Sequence, residues 1–354
     1  MLDNAQYPGG QPSEAEGQAR TAGSGGRIGV LLANLGTPDS TDYWTMRSYL
    51  DQFLSDRRVI EWPVWIWQPI LKLIVLSRRP FTSGEAYREI WNEELDESPL
   101  LTITRSQTDQ LRARLKARHG DRIMVDFCMR YGNPSTPSVI RRLQAQGCER
   151  IVFFPLYPQF SAATTATAND EAFRALMTIR AQPAIRTVPD YHDNPDYIDA
   201  LAQTIRDAYT DLPERPTALV ASYHGLPEDY ITKGDPYFAQ CHQTSRILAE
   251  KLGWDPAEIH STFQSRFGPD EWIKPYTVKH VAELARQGHR RIAVIAPGFA
   301  ADCVETLEEI NGEIREAFEE AGGEHFHYIP CLNDMDSHVT MIENIVEHEL
   351  QGWI

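Results

Sequence analysis

The strongest constraint on the fold is a weak internal repeat. Gly36-Thr37-Pro38 is echoed by Gly225-Leu226-Pro227, and Phe127-Cys128-Met129-Arg130-Tyr131-Gly132 by Phe263-Gln264-Ser265-Arg266-Phe267-Gly268. Further on, Gly147-Cys148-Glu149-Arg150-Ile151 returns as Gly288-His289-Arg290-Arg291-Ile292, and Pro158-Gln159-Phe160-Ser161-Ala162 as Pro297-Gly298-Phe299-Ala300-Ala301. The order is kept throughout, which favours duplication over coincidence. Apolar runs that read as short buried strands occur at Ile28 to Ala33, Ile123 to Phe127, Ile151 to Phe154, Ala218 to Ala221 and Ile292 to Ala296. Helix-period segments separate most of them: Thr102 to Arg118, Pro137 to Gln146, Tyr197 to Tyr209, Tyr276 to Arg286 and Val304 to Ala321. Such alternation implies an α/β chain with parallel sheets and right-handed crossovers.

Two similar doubly wound halves follow, with a boundary near Tyr191 to Tyr197, where Asp, Asn and Pro cluster. The expected limits are 1–26 for a disordered tail and 27–194 for a first domain, including an apolar cleft lip near 53–80. A second domain spans 195–354, its final helix packing back on the first. A chain of 354 residues is long enough to bury a proper core in each.

Composition narrows the partners. The net charge of -16 disfavours nonspecific attraction to phosphate backbones, so nucleic acid is excluded as a partner. Five cysteines (Cys128, Cys148, Cys241, Cys303, Cys331) are scattered without CxxC spacing, as in a reducing compartment without a structural zinc or iron-sulfur site. The first 26 residues are rich in Gly, Ala, Gln and Ser and lack an apolar core, unlike a signal peptide, so a cytoplasmic location is expected. The strongest apolar stretch, Val59 to Leu76, is interrupted by Glu61, Pro63, Pro69 and Lys72, which argues against a spanning helix. Two readings of it stay open. Trp62, Trp65, Trp67, Ile70, Leu71, Leu73 and Ile74, followed by Arg78 and Arg79, suit an interfacial segment with a basic flank over 59–79. They equally suit a buried helix or pocket lid.

Chemistry concentrates where two strands are expected to stop. Ser222-Tyr223-His224-Gly225-Leu226-Pro227 follows one apolar run, and Asp302-Cys303-Val304-Glu305-Thr306-Leu307-Glu308-Glu309 follows another. In α/β folds ligands sit at such strand ends. Histidine with carboxylate is a ligand set for a borderline divalent metal and also a set of proton acceptors. Glu305, Glu309 and Glu313 recur every four residues on one helix face, and align more closely where a helix widens to the π form. A structural histidine and an acidic first helical turn are the bland alternatives. In the repeat, His224 corresponds to Leu35, and Glu305 to a small uncharged tract around Thr164 to Ala166. One half thus presents apolar surface and the other ionisable groups, which suits a flat, mostly apolar ligand between them.

At these motifs the sequence resembles the ferrochelatases, which insert ferrous iron into a porphyrin. The resemblance runs from Leu31-Leu32-Ala33-Asn34-Leu35-Gly36-Thr37-Pro38 through the His224 segment, Lys233-Gly234-Asp235-Pro236-Tyr237 and the Phe263 to Gly268 block. It continues through Pro297 to Glu309. It implies two Rossmann-like domains, each a parallel sheet flanked by helices, with the active-site cleft between them. It implies that His224 faces the porphyrin nitrogens, that Glu305 stands opposite in the metal path, and that both touch the metal. Glu309 and Glu313 resemble the rest of an acidic relay. Leu35, Tyr157, Trp272 and the pair Arg130-Tyr131 resemble cleft-lining residues, and Arg79 and Ser98 resemble propionate contacts. Some relatives have histidine where this chain has Cys303. The chain ends Gln351-Gly352-Trp353-Ile354, without the cysteine-rich extension of other relatives, so no iron-sulfur cluster and no permanently bound cofactor are expected.

The expected reaction is insertion of Fe2+ into protoporphyrin IX to give protohaem with release of two protons, the last step of haem biosynthesis. The motif style and the complete lip point to protoporphyrin. Alternatives are a coproporphyrin ferrochelatase, cobalt insertion into a corrin precursor, or a porphyrin or haem carrier without catalysis. Oligomeric state is not legible.

Overall fold

The computed structural model describes residues 26–354. The tail expected over 1–26 lies, Gly26 apart, outside them. Among the described residues, eight strands form two parallel sheets of four. β1 (Arg27–Thr37), β2 (Ile123–Gly132), β3 (Cys148–Pro155) and β4 (Ala184–Thr187) lie in the order β2-β1-β3-β4. β5 (Ala218–His224), β6 (Ile259–Gln264), β7 (Arg291–Ile295) and β8 (His325–Ile329) lie in the order β6-β5-β7-β8. The second sheet repeats the first strand for strand, so the sequence repeat is a repeat of topology. The match reaches single bonds: the Met129 N–H donates to Pro134 O at 2.8 Å, and the Phe263 N–H to Pro275 O at 2.9 Å. A π-helical segment follows the third strand of each sheet, at Ala162–Ala166 and at Glu305–Ile314.

The helices are α1 (Tyr43–Leu54), α2 (Val64–Ile70), α3 (Leu76–Ile90), α4 (Pro99–His119), α5 (Thr136–Ala145) and α6 (Thr167–Met177). They continue with α7 (Pro195–Asp211), α8 (Glu228–Thr232), α9 (Tyr237–Leu252), α10 (Thr277–Arg286), α11 (Arg315–Glu320) and α12 (Asp336–Leu350). Helices cover both faces of each sheet, and the central strands are accordingly near-continuous buried runs. One face of each sheet joins a common apolar cluster that includes Leu32 of β1, Leu111 of α4, Leu219 of β5, Leu248 of α9 and Ile342 of α12. The other faces pack separately, around Phe153 and Ile140 in the first half and Val294 and Phe318 in the second. The last helix, α12, also meets α4 through charge: Arg114 pairs with Asp336 at 2.6 Å, and Arg118 with Glu343 and Glu347, both at 3.0 Å.

The segment between β1 and α4 builds the lip. Pro69 and Pro80 lie inside helices, where each lacks the N–H that an α-helix would give the carbonyl four residues back. Beyond Pro69 the helix runs on as a wider π turn, Leu71–Val75. The Leu76 carbonyl, orphaned by Pro80, is taken up by the Tyr43 hydroxyl at 3.1 Å and by the Arg47 guanidinium. The segment divides into buried and exposed side chains. Leu71 is fully buried and Trp67 points inward, its indole N–H donating to Leu54 O at 2.6 Å. Trp65, Leu73 and Ile74 remain exposed at 78%, 75% and 58%. No helix among the described residues is long and apolar enough to cross a membrane.

Candidate active site

In each sheet the chain reverses its winding direction between the first and third strands, and ligands of such sheets bind beyond the carboxyl ends at that point. A cavity of about 740 Å³ opens there, lined from both halves and from the lip. The first half contributes Leu35 from β1 and Tyr157 beyond β3. The lip contributes Phe53, Leu54, Val59, Ile60, Trp62 and Trp67. The second half contributes His224 from the end of β5, Gln264 from the end of β6, Trp272, and Glu305, Glu309 and Glu313 from the π-helical segment. Apolar surface and ionisable groups therefore face one space.

His224 is half-buried at the last position of β5. Its Nδ1 lies 2.7 Å from Gly225 O. A carbonyl only accepts, so Nδ1 carries a proton and Nε2 is the ring nitrogen left to exchange a proton or meet a metal. Gly225 is required behind it, because a Cβ there would lie 2.7 Å from Gln264 O and 3.0 Å from Trp272 Cε3. The Trp272 ring sits 6.4 Å from the imidazole, and its buried indole N–H has no partner among the described residues, nor does the buried Tyr157 hydroxyl. Such unpaired groups on a cavity wall are available to a bound ligand.

The acidic line grades from the half-buried Glu305 and Glu309 to the exposed Glu313. Burial, followed by the nearby charge of Glu305, pushes the Glu309 carboxyl up to about 7, although hydrogen bonds from Ser265 and Gln264 oppose the rise. Burial, then Glu89 and Glu313, raises Glu308 as well. Upstream, Asp302 ties down the start of the segment: it accepts from Thr306 Oγ at 3.0 Å and Asn333 Nδ2 at 2.6 Å. Cys303 lines the cavity, but burial and then Glu305 push its thiol well up, so it is a protonated packing group rather than a thiolate.

Of the remaining residues singled out from sequence, Leu35, Tyr157, Trp272 and Arg79 line the cavity. Arg79 sits over the Phe267 ring at 5.7 Å and pairs with no carboxylate among the described residues. Arg130, Tyr131 and Ser98 do not line it. Asp56 is the reason for the first two: it binds the Arg130 guanidinium and accepts from the Tyr131 hydroxyl at 2.9 Å, inside the fold. Burial works against Asp56 ionising, but the Thr167 hydroxyl, the Arg58 N–H and Arg130 together hold its carboxyl below the usual range. Ser98 is the N-cap of α4, its Oγ accepting from the Leu101 N–H at 3.3 Å.

Gln264 and Ser265, not marked as site residues by any sequence pattern, touch the acidic line directly. The sequence repeat held no signal for them, because its Phe127 to Gly132 and Phe263 to Gly268 blocks stand two residues out of register in the structure, where Gln264 and Ser265 take the places of Arg130 and Tyr131. The Lys233 to Tyr237 motif clasps the halves together. Lys233 binds Glu61 of the lip at 2.6 Å, and Asp235 accepts from the Ala162 N–H at 2.7 Å at the start of the first π segment.

Two solved structures share the fold. SirB from Bacillus subtilis with Fe3+ gives a TM-score of 0.51 at 12% identity, covering 91% of this chain and 95% of that one. The sirohydrochlorin chelatase SirB from Bacillus subtilis subspecies spizizenii in complex with cobalt gives 0.52 at 10%, covering 92% and 97%. Sequence similarity is far closer elsewhere. The ferrochelatase of Rhodobacter capsulatus is 63% identical over 329 residues, 93% of this chain and 94% of that protein. The ferrochelatase of Rhizobium etli (strain CIAT 652) is 56% identical over 329 residues, covering 93% and 95%. The family model for ferrochelatase matches residues 27–350, so the duplicated fold and its cavity lie almost wholly within the match, and this chain belongs to the ferrochelatase family of chelatase enzymes.

Proposed function

We propose that the chain inserts ferrous iron into protoporphyrin IX, forming protohaem and releasing two protons, as the last step of haem biosynthesis. The observation that carries this is the cavity on which the His224 imidazole and the line of Glu305, Glu309 and Glu313 meet apolar walls. Insertion must remove two pyrrolic protons and strip water from the metal. His224 Nε2 accepts a proton or first binds the metal. Glu305 offers a weak oxygen ligand, and Glu309 and Glu313 behind it exchange protons and iron with solvent. Glu309, poised near neutrality, holds or gives up a proton at small cost there. Iron is a substrate on this reading. Among the described residues no three or more His, Cys, Asp or Glu are arranged to hold a metal ion. A loose site of this kind hands the metal on.

The preference for protoporphyrin rests on the lip. Coproporphyrin carries two further carboxylates, which would need partners along Phe53, Leu54, Val59, Ile60 and Trp62, and an unpaired charge in an apolar wall is expensive. Arg79, free of carboxylate partners among the described residues, is the candidate anchor for a propionate. The reading includes no resident cofactor and no iron-sulfur cluster; in support of the latter, the five cysteines are buried, and burial pushes each thiol up, to about 11 at Cys148 and about 12 at Cys128. We place it in the cytoplasm, touching a membrane through the exposed Trp65, Leu73 and Ile74 beside the exposed Lys72 and Arg78. An anaerobic insertion assay with protoporphyrin and coproporphyrin side by side tests the reading. Faster loss of porphyrin fluorescence with protein than without is expected, and greater with protoporphyrin. Tight porphyrin binding without acceleration would instead make the protein a carrier.

A further inference from the structure

We infer that Gln264 is a positioning residue for metal insertion, setting the separation between the His224 imidazole and the Glu305–Glu309 carboxylates. The inference rests on the function proposed above. Gln264 ends β6 directly opposite His224 in the parallel ladder, and its carbonyl accepts the Gly225 N–H at 2.8 Å. Its main chain is therefore fixed to the strand that carries the imidazole. Its buried side chain reaches the other way. Nε2 donates to the Glu305 carbonyl at 2.7 Å and to Glu309 Oε2 at 3.2 Å, two acceptors that only the nitrogen end of the amide can serve. Oε1 accepts from Ser222 Oγ at 2.6 Å, and Ser222 lies on β5, two residues before His224. One amide thus joins the base-bearing strand to the acid-bearing segment at both ends, with every polar atom of its side chain engaged.

The duplicated half supplies a control. Thr136 is the counterpart of Thr277, which bonds Ser222 Oγ at 3.0 Å, and Thr136 bonds the Cys128 thiol at 3.4 Å. Cys128 stands where the second half has Thr262, which the Thr277 hydroxyl meets at 2.9 Å, and the position equivalent to Gln264 is held by Arg130. The first half keeps the hydroxyl but has the Arg130 guanidinium in place of the amide, donating to Thr167 O at 3.1 Å, and its π segment, Ala162–Ala166, carries no carboxylate.

Gln264→Met keeps length without hydrogen bonds, and Gln264→Glu keeps shape without the donors. Each is assayed in the full chain by anaerobic ferrous insertion, with porphyrin affinity measured by fluorescence. Both variants are expected to lose at least about ten-fold in kcat, the effect of one charge-assisted hydrogen bond on a barrier, while the porphyrin KM stays within about two-fold. Ser222→Ala, which leaves the amide oxygen and the Thr277 hydroxyl without this partner but keeps both donations from Nε2, is expected to lose about three-fold in kcat. A general packing defect would instead raise KM and lower the melting temperature together. Should Gln264→Met not fold, Ser222→Ala decides the question. Wild-type kcat in the folded variants overturns the inference, whereas absence of insertion by the wild-type protein overturns the proposed function itself.

Discussion

Glu309→Gln removes the carboxyl of the acidic line whose proton affinity the fold alters most. Burial and the Glu305 charge raise Glu309 from 4.5 to about 7. The native protein therefore holds a proton that the unfolded chain has already released between those two values. The stability linked to this proton is complete below about 4.5 and is lost as the pH rises through about 7. A rise of about 2.5 units, at about 1.4 kcal/mol each, amounts to roughly 3 kcal/mol. Glutamine stays neutral and is exempt from this loss. Urea unfolding of both proteins from about pH 5.5 to about pH 8.5 should show the variant gaining on the wild type by about 2 kcal/mol as the pH climbs to neutrality, with no further gain above. Insertion by the variant should fall at least about ten-fold over the same range. A stability difference that does not change with pH would refute the claim that the fold protonates Glu309.

Arg130→Leu leaves the Asp56 charge buried without its cation and should cost about 3–5 kcal/mol in chemical denaturation, with insertion per folded molecule unchanged. Preserved stability with a raised porphyrin KM would return Arg130 to the cavity. Gly225→Ala forces a methyl against Gln264 O and Trp272, so a loss of about 1–3 kcal/mol and displacement of His224, seen as reduced kcat, are expected. An unperturbed kcat would show that the strand end tolerates movement. Combined replacement of Trp65, Leu73 and Ile74 by serine should abolish sedimentation with anionic liposomes while leaving the fold intact, since all three side chains are exposed. Unchanged sedimentation removes the membrane contact.

What the sequence reveals here depends on whether a feature is local. β1, β3, β5 and β7 are visible as aliphatic runs because parallel strands covered on both faces need them. β4 has only four residues at a sheet edge, while β6 (IHSTFQ) and β8 (HFHYI) mix histidine and hydroxyl groups with apolar residues, so neither forms a run. The duplication was nonetheless legible, because the Gly-x-Pro at the ends of β1 and β5 and the glycine before β3 and β7 stay in register, although the echo at the ends of β2 and β6 is shifted by two residues. His224 and the Glu305 line were legible for a related reason: they stand where the repeat breaks its own apolar pattern. That Arg130, Tyr131 and Ser98 lie off the cavity wall was not legible, because their partners, Asp56 and the first turn of α4, are tertiary or capping contacts. Nothing in a one-dimensional pattern tells an arginine facing a ligand from one facing a buried aspartate. The lip divided in the same way, since Trp65 and Trp67 differ by two residues yet point to opposite sides.

Rapid anaerobic mixing of ferrous iron with porphyrin-loaded protein, followed by the decay of porphyrin fluorescence, measures the insertion step itself. His224→Ala and Glu305→Gln are each expected to bind porphyrin as the wild type does and to insert iron at least about a hundred-fold more slowly. Near-wild-type decay in both variants would contradict the assignment of base and metal ligand to this cavity.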